Sequence, residues 1–358
     1  MNIGDSDDPP PYCRSDGDRH RPFDDDCPHG MQPMKIAIYG AGAVGGHFAA
    51  RLAAAGHDVS VVVRGAALAA IRSKGLTLLA GTDRLNLSVS ASDDAAELGP
   101  QDLVISTLKS SSLGALAEGV QPLLGPDTPV IFAQNGIPWW YTHGLPPSEK
   151  LPRLDWLDPD GSLERRIGVQ RTIGGVIFSS NEVLEPGVIR NDSPEHNALI
   201  IGEPDRSDSD RIGRLRQVLG DAGLASPPNG DVREMLWRKL LANMTVSVLC
   251  MITGQTAREA VEDPIFQDLV PRLIGEAGAI SGAQGYAIPP MPPGYRAPDH
   301  KPSLLQDFLL GRALEIDALV RAPIAFARAA GLETPTLDML GAVAQRLAVN
   351  AGLYAPRP

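Results

Sequence analysis

The stretch KIAIYGAGAVGGHF, residues 35–48, places Gly40, Gly42 and Gly45 in the order G-x-G-x-x-G directly after an apolar run. Residues 43–55 then carry small and apolar residues at helical spacing, and Gly56 supplies a helix stop. In a strand–turn–helix unit each glycine has a separate use. Gly40 permits the tight turn, Gly42 lets backbone approach a pyrophosphate, and Gly45 lets helix and strand pack closely. The turn residues Gly40, Ala41, Gly42, Ala43, Val44 and Gly45 are therefore candidate dinucleotide ligands. Free N–H groups and the helix dipole favour negative charge there. Glycines crowd any tight turn, so a packing turn without a ligand is the competing reading. The strand before and the helix after favour the ligand.

The following residues repeat the strand–helix alternation. Residues 59–63 read as a strand and 66–74 as a helix; 76–79 and 85–89 form a side hairpin. A strand then runs through 102–109, a helix through 112–124 and a strand through 129–136. Such alternation implies a parallel sheet with helices on both faces. Residues 138–169, rich in Pro, Gly, Asp and Trp, read as a long insertion. Residues 171–178, 187–190 and 197–201 read as strands that finish the sheet, antiparallel to the rest. A helix at 208–222 follows. From 231 onward the pattern is helical, over 231–250, 256–262, 266–284, 303–310, 313–330 and 335–350. The expected fold class is α/β: an N-terminal Rossmann-type dinucleotide-binding domain at 34–228, then an all-helical C-terminal domain at 229–358. The break falls at PNG, 228–230.

Composition narrows the partners. A net charge of −11 over 358 residues argues against a general nucleic-acid binder. No apolar run approaches the ~20 residues that cross a bilayer. Residues 1–33 hold eight Asp and three Arg with no helix or strand period, which reads as a disordered extension. Cys13 and Cys27 lie in it, which leaves Cys250 alone in the folded part. That excludes a disulfide framework and fits a reducing cytoplasm. No metal site is expected.

The cofactor type is read at the end of the second strand. An NAD site usually carries Asp or Glu there. This chain has VVVRG, with Arg64 at that place and Asp58 badly placed before the strand. A guanidinium suits a 2′-phosphate, so NADPH is expected; the alternative is a surface Arg that starts the next helix. Lys109, at the end of STLK, is a second candidate cation or a solvated surface lysine.

Three distal stretches carry further polar groups. Asn135 in FAQNGI sits where a strand opens onto a loop, the usual ligand position in open α/β sheets, unless it only forms an Asx turn before Gly136. In LWRKLLANMTVSVL, Lys239 and Asn243 are four apart and share a helix face, while Leu236, Leu240, Met244 and Val248 mark an apolar face. A lysine lining a cleft can polarise a carbonyl and protonate the growing alkoxide. In HKPSLLQDFLLGRALEIDAL, Ser303 is either an N-cap or a substrate contact, and Glu315 either a solvated charge or a cleft group.

These pieces occur together in one order. IYGAGAVGGHFAARLAAAGHDVSVVVR, STLKS, AQNGI, VLEPGVIR, WRKLLAN, ITGQTAREAVEDP and KPSLLQDFLLGRALEIDAL, spread over nearly all of 34–350, resemble the ketopantoate reductase (2-dehydropantoate 2-reductase) family. The resemblance implies NADPH-dependent reduction of ketopantoate to pantoate, in pantothenate biosynthesis, with a small 2-oxo acid as the partner. It makes Lys239 the general acid and has Asn135 orient Lys239, the substrate or the nicotinamide. Asn243, Ser247, Ser303 and Glu315 would contact substrate, and Glu315 would also hold Lys239 or reach the cofactor. Arg64 and Lys109 would bind the 2′-phosphate end.

The chain departs from the family pattern at three places. Ser247 in TVSVLC stands where the family usually has a second Asn four residues after the first, followed by Pro. GRALEID replaces GRPTEID. The insertion, with Trp139, Trp140 and Tyr141, is longer than the family's; its aromatics cap the cleft or, as favoured here, form core. Two other functions stay open: reduction of a different small 2-oxo acid, or a non-catalytic NADPH sensor. The Ala- and Leu-rich faces of 313–330 and 335–350 allow a homodimer or ordinary internal packing.

Overall fold

A computed structural model describes residues 32–147, 150–289 and 296–356. Most of the expected extension, with Cys13 and Cys27, lies outside the described residues. The chain runs β1 (Lys35–Tyr39), α1 (Ala43–Ala54), β2 (Asp58–Val62), α2 (Gly65–Lys74), β3 (Leu76–Ala80), β4 (Asp83–Leu87), β5 (Ser90–Ser92), β6 (Leu103–Ser106), α3 (Leu113–Gly119) and β7 (Val130–Ala133). A short α4 (Ser162–Arg166) precedes β8 (Thr172–Phe178), β9 (Asn181–Glu185), β10 (Val188–Asn191), β11 (Ala198–Gly202) and α5 (Asp210–Asp221). The helical half comprises α6 (Val232–Met244), α7 (Val246–Thr253), α8 (Ala257–Glu262), α9 (Leu269–Ala283), α10 (Ser303–Leu309), α11 (Ala322–Ala329) and α12 (Pro335–Asn350).

Seven strands form the main sheet in the order β11-β8-β7-β6-β1-β2-β5. All neighbours in it are parallel except β11 with β8. Strand order reverses at β1, so the glycine turn lies at the sheet's switch point, where ligands bind in such folds. Two expectations are corrected here. Residues 172–178 join parallel to β7, and only β11 is antiparallel. Residues 188–191 leave the main sheet altogether: β10 pairs parallel with β3 and antiparallel with β9 in a second sheet, β4-β3-β10-β9. The close approach of α1 to that sheet explains the placement. A Cβ on Gly46 would lie 2.6 Å from the buried Ile189 side chain.

Two long helices expected from the pattern are interrupted. The run 231–250 breaks at Thr245, whose hydroxyl donates to Leu241 O at 2.6 Å. The run 313–330 starts as a strap without regular secondary structure, residues 312–315, then passes through a π-turn, Asp317–Arg321, into α11. Among the described residues only 232–253 is long and apolar enough, by length and composition, to cross a bilayer. It is folded into the core, with Leu236, Trp237, Leu240, Met244 and Val248 all buried.

The insertion aromatics are core. Trp140 and Tyr141 are buried, and Tyr141, Trp237 and Phe326 meet edge-on with ring centroids 4.9–6.2 Å apart. Trp237 Nε1 donates to the Tyr141 hydroxyl at 2.6 Å. Beside them Arg233 is fully buried, a residue the sequence pattern did not single out. Its guanidinium donates to the carbonyls of Tyr141, His143 and Pro204 at 2.7–2.8 Å and lies 5.3 Å from the centroids of the Trp140 and Tyr141 rings. The arginine thus sews the insertion and the end of the sheet domain to the first turn of α6.

Replacing Arg233 with Met keeps volume but leaves three carbonyls without their donor. At about 1–3 kcal/mol for each buried unsatisfied group, we expect a loss of ~3 kcal/mol or more, read as a lower urea midpoint at unchanged slope.

Candidate active site

The glycine turn is built by clearance. Gly40 has φ +101°, which favours glycine, and a Cβ on Gly45 would sit 1.8 Å from Gly40 O. Thr107, at the end of β6, locks the turn by donating from Oγ1 to Gly40 O at 2.6 Å. Gly42 differs: a Cβ there meets nothing within 4 Å. The protein itself demands glycine at 40 and 45, whereas at 42 the open space is what a bound pyrophosphate would fill. Gly42 is also the N-cap of α1, with no side-chain cap and no acid in the first turn. The first intrahelical donor is Gly46, to Gly42 O at 2.8 Å, so the preceding N–H groups have no partner within the helix. The residues present fit a dinucleotide phosphate.

A cleft of about 870 Å³ runs from this turn to the helical half. Gly40, Gly42, Ala43, Val44, Gly45, Lys109, Asn135, Lys239, Asn243, Ser247, Ser303 and Glu315 all line it. Ala41 lies just beneath, buried, and Arg64 stands outside on the exposed N-cap of α2 at the carboxyl end of β2.

Lys239 projects from α6 into the cleft. Its ammonium donates to Ile177 O at the end of β8 and lies 5.7 Å from the centroid of the Phe178 ring. Burial pushes its pKa down to about 8, and the charge of Glu315 opposes that fall. Glu315 is buried on the strap 312–315. Burial raises its pKa; the Ser110 N–H at 3.1 Å, the Lys109 charge and a hydrogen bond with Asn135 pull the other way. Glu315 therefore acts on Lys239 through space, while its contacts are Ser110 and Asn135. The close restraint on Lys239 comes from Ile177, not Glu315.

Lys109 differs from the expectation of a free cation at the 2′-phosphate end. Its Nζ pairs with Asp307 at 2.7 Å and donates to Ala313 O at 2.9 Å. The lysine follows β6, two strands from β2, and lines the cleft while already paired. The reason is tertiary: the strap and α10 bring a carboxylate and a carbonyl against it. Ser303 is the first helical residue of α10, with Pro302 in the N-cap position, so the capping alternative falls away. Ser247 is buried in the first turn of α7 and still faces the cleft despite the break at Thr245.

Sequence reasoning missed Thr107 and Asp307. Thr107 belongs to STLK, and a polar residue at a strand's carboxyl end was a usable signal. Asp307 carried no local signal, because its partner lies 198 positions earlier in the chain.

Comparisons with known proteins identify the family. The family model described as Ketopantoate reductase PanE/ApbA matches residues 36–206, and that of its C terminal matches 231–348. The chain belongs to the ketopantoate reductase PanE/ApbA family. It is 40% identical over 328 residues to the 2-dehydropantoate 2-reductase of Mesorhizobium japonicum, covering 90% of this chain and 100% of the relative. Crystal structures of 2-dehydropantoate 2-reductase from Geobacter metallireducens (28% identical, TM-score 0.74, covering 87% of this chain and 99% of that one) and of a PanE/ApbA family ketopantoate reductase from Ralstonia eutropha (25%, TM-score 0.73, 89% and 100%) share the architecture. As a member of this family the chain is an NADP(H)-dependent oxidoreductase that reduces a 2-oxo acid.

The two glycines should separate stability from binding. In Gly45→Ala the added methyl collides with backbone, and we expect ~1–3 kcal/mol lost, seen as a lower Tm. In Gly42→Ala we expect an unchanged Tm and weaker NADPH binding by fluorescence titration.

Proposed function

We propose that this enzyme reduces 2-dehydropantoate to pantoate in pantothenate biosynthesis, with Lys239 as general acid. One observation carries the reading: the Lys239 ammonium lies half-buried in the same cleft as the glycine turn, at the carboxyl ends of the sheet strands. Bound NADPH supplies the hydride that goes to the carbonyl carbon. Residues 40–45 hold the pyrophosphate against the start of α1, and Arg64 takes the 2′-phosphate end. Asn243, Ser247 and Ser303 hold the substrate's polar groups along α6, α7 and α10. Lys239 Nζ donates a hydrogen bond to the keto oxygen, stabilises the negative charge that grows there, and delivers its proton.

Asn135 and Glu315 form the support. The amide and the buried carboxylate hold each other, and the Glu315 charge keeps the Lys239 amine protonated at neutral pH, offsetting desolvation. With its pKa near 8 the amine gives up a proton more readily than an ordinary lysine. The presence of a buried acid–amide–ammonium set supports an enzyme over an NADPH sensor, which needs no acid in its cleft. Exposed Met339 and Val343, one turn apart on α12, support self-association through the helical half.

Lys239→Ala should lower kcat by about 10²–10⁴-fold, the usual size of general-acid catalysis, while NADPH affinity changes little; unchanged turnover of ketopantoate would refute the acid role. Since only the protonated amine donates, kcat should fall as pH rises through about 8. In Glu315→Gln the charge that raises the amine's pKa is gone, so this alkaline limb should move to lower pH. Ketopantoate turnover with NADPH against NADH tests the cofactor preference.

A further inference from the structure

Beyond the polar groups the cleft continues between α7, α8 and α9. Three branched side chains, Val246, Val261 and Ile274, wall this end; each packs one side on the core and leaves the other facing the cleft. Ala257, on the same face of α8 as Val261, and Ala297 give it depth, because neither fills the space a longer side chain would take. The segment around Ala297 is tied to the start of α8: Ala257 N–H donates to His300 O at 3.0 Å, and Arg258 Nε to Ala297 O at 3.1 Å. His300 stands at the exposed rim.

One face of the helical half thus reads Lys239, Asn243 and Ser247, then Val246, Val261 and Ile274. The first three have the chemistry to hold a keto-carboxylate head. The second three can only remove apolar surface from water, at roughly 25 cal/mol per Å². Apolar side chains left open inside a cleft favour whatever apolar group covers them. Ser247, next to Val246 in the chain, is the one polar group that α7, α8 and α9 contribute to the cleft lining, and its side chain is short, so these helices offer a hydroxyl on the substrate's tail a single small partner.

We propose that Val246, Val261 and Ile274 form the specificity wall of this enzyme, which selects 2-oxo acids whose third carbon is branched or part of an aryl ring and does not require the hydroxyl that ketopantoate carries on its fourth carbon. The proposal rests on the reading of the cleft as a 2-oxo acid reductase site. The wall discriminates by size and polarity of the substituent, while the head group binds alike for every 2-oxo acid.

The test is kcat/KM with NADPH for pyruvate, 3,3-dimethyl-2-oxobutanoate, phenylglyoxylate and ketopantoate. A methylene in a fitted pocket is worth about 10–200-fold. We expect 3,3-dimethyl-2-oxobutanoate, which is ketopantoate without its hydroxyl, to fall within tenfold of ketopantoate. Both it and phenylglyoxylate should exceed pyruvate by more than tenfold. Val261→Ser and Ile274→Ser, each checked for folding by NADPH fluorescence titration, should shrink that advantage at least fivefold by lowering the branched and aryl values more than the pyruvate value. If ketopantoate turns over but its hydroxyl-free analogue is a hundredfold worse, or if both serine variants leave the ratios intact, the wall is not the selector and the proposal fails while the reductase reading stands. If no 2-oxo acid turns over, the reading beneath it fails as well.

Discussion

The buried carboxylate of Glu315 is the contact on which the arrangement of the two halves depends. A carboxylate out of water is costly unless donors surround it. Here the Ser110 N–H and the Asn135 amide, from the loops after β6 and β7, supply them. Two more bonds hold the strap and the π-turn that follows it: Lys109 Nζ to Ala313 O at 2.9 Å and Ile137 N–H to Ala318 O at 2.9 Å. The strap 312–315 and the π-turn after it are thereby pinned across the carboxyl ends of two sheet strands. Because those ends also face the glycine turn, the pin sets how far the helical half stands from the dinucleotide site.

That geometry accounts for the state of Lys239. Its amine is drawn out of solvent by α6, which lowers its pKa, tied to Ile177 O, and kept protonated by the charge of a carboxylate it does not touch. A direct ion pair would raise the amine's affinity for its proton and make it a poorer acid. Separation through space leaves the proton bound and transferable. Lys109, by contrast, is in a direct ion pair, with Asp307 at 2.7 Å.

Arg233 plays the matching part on the far side of the junction. Three carbonyls from two loops converge on one guanidinium, which suits a planar fork of donors and would suit no lysine. The aromatic insertion 139–141, its partner in this packing, therefore belongs to the core at the domain junction and not to a mobile cap.

Much of this was legible in the residues. The glycine turn, the strand–helix alternation, the apolar face of α6 and the Lys239–Asn243 spacing are local patterns, and 3.6-residue periodicity or a missing Cβ reports them directly. Local pattern could not show that β10 would leave the main sheet, because strand pairing is chosen by partners far away, nor that α6 would end at Thr245. It could not show that Arg233 would be buried or that Lys109 would meet Asp307. Those outcomes, like the meeting of Ser110 with Glu315 across 205 positions, were decided only in the tertiary structure. The charge state of an amine or carboxylate depends on the neighbours that folding brings to it, and a linear pattern holds no distance between them.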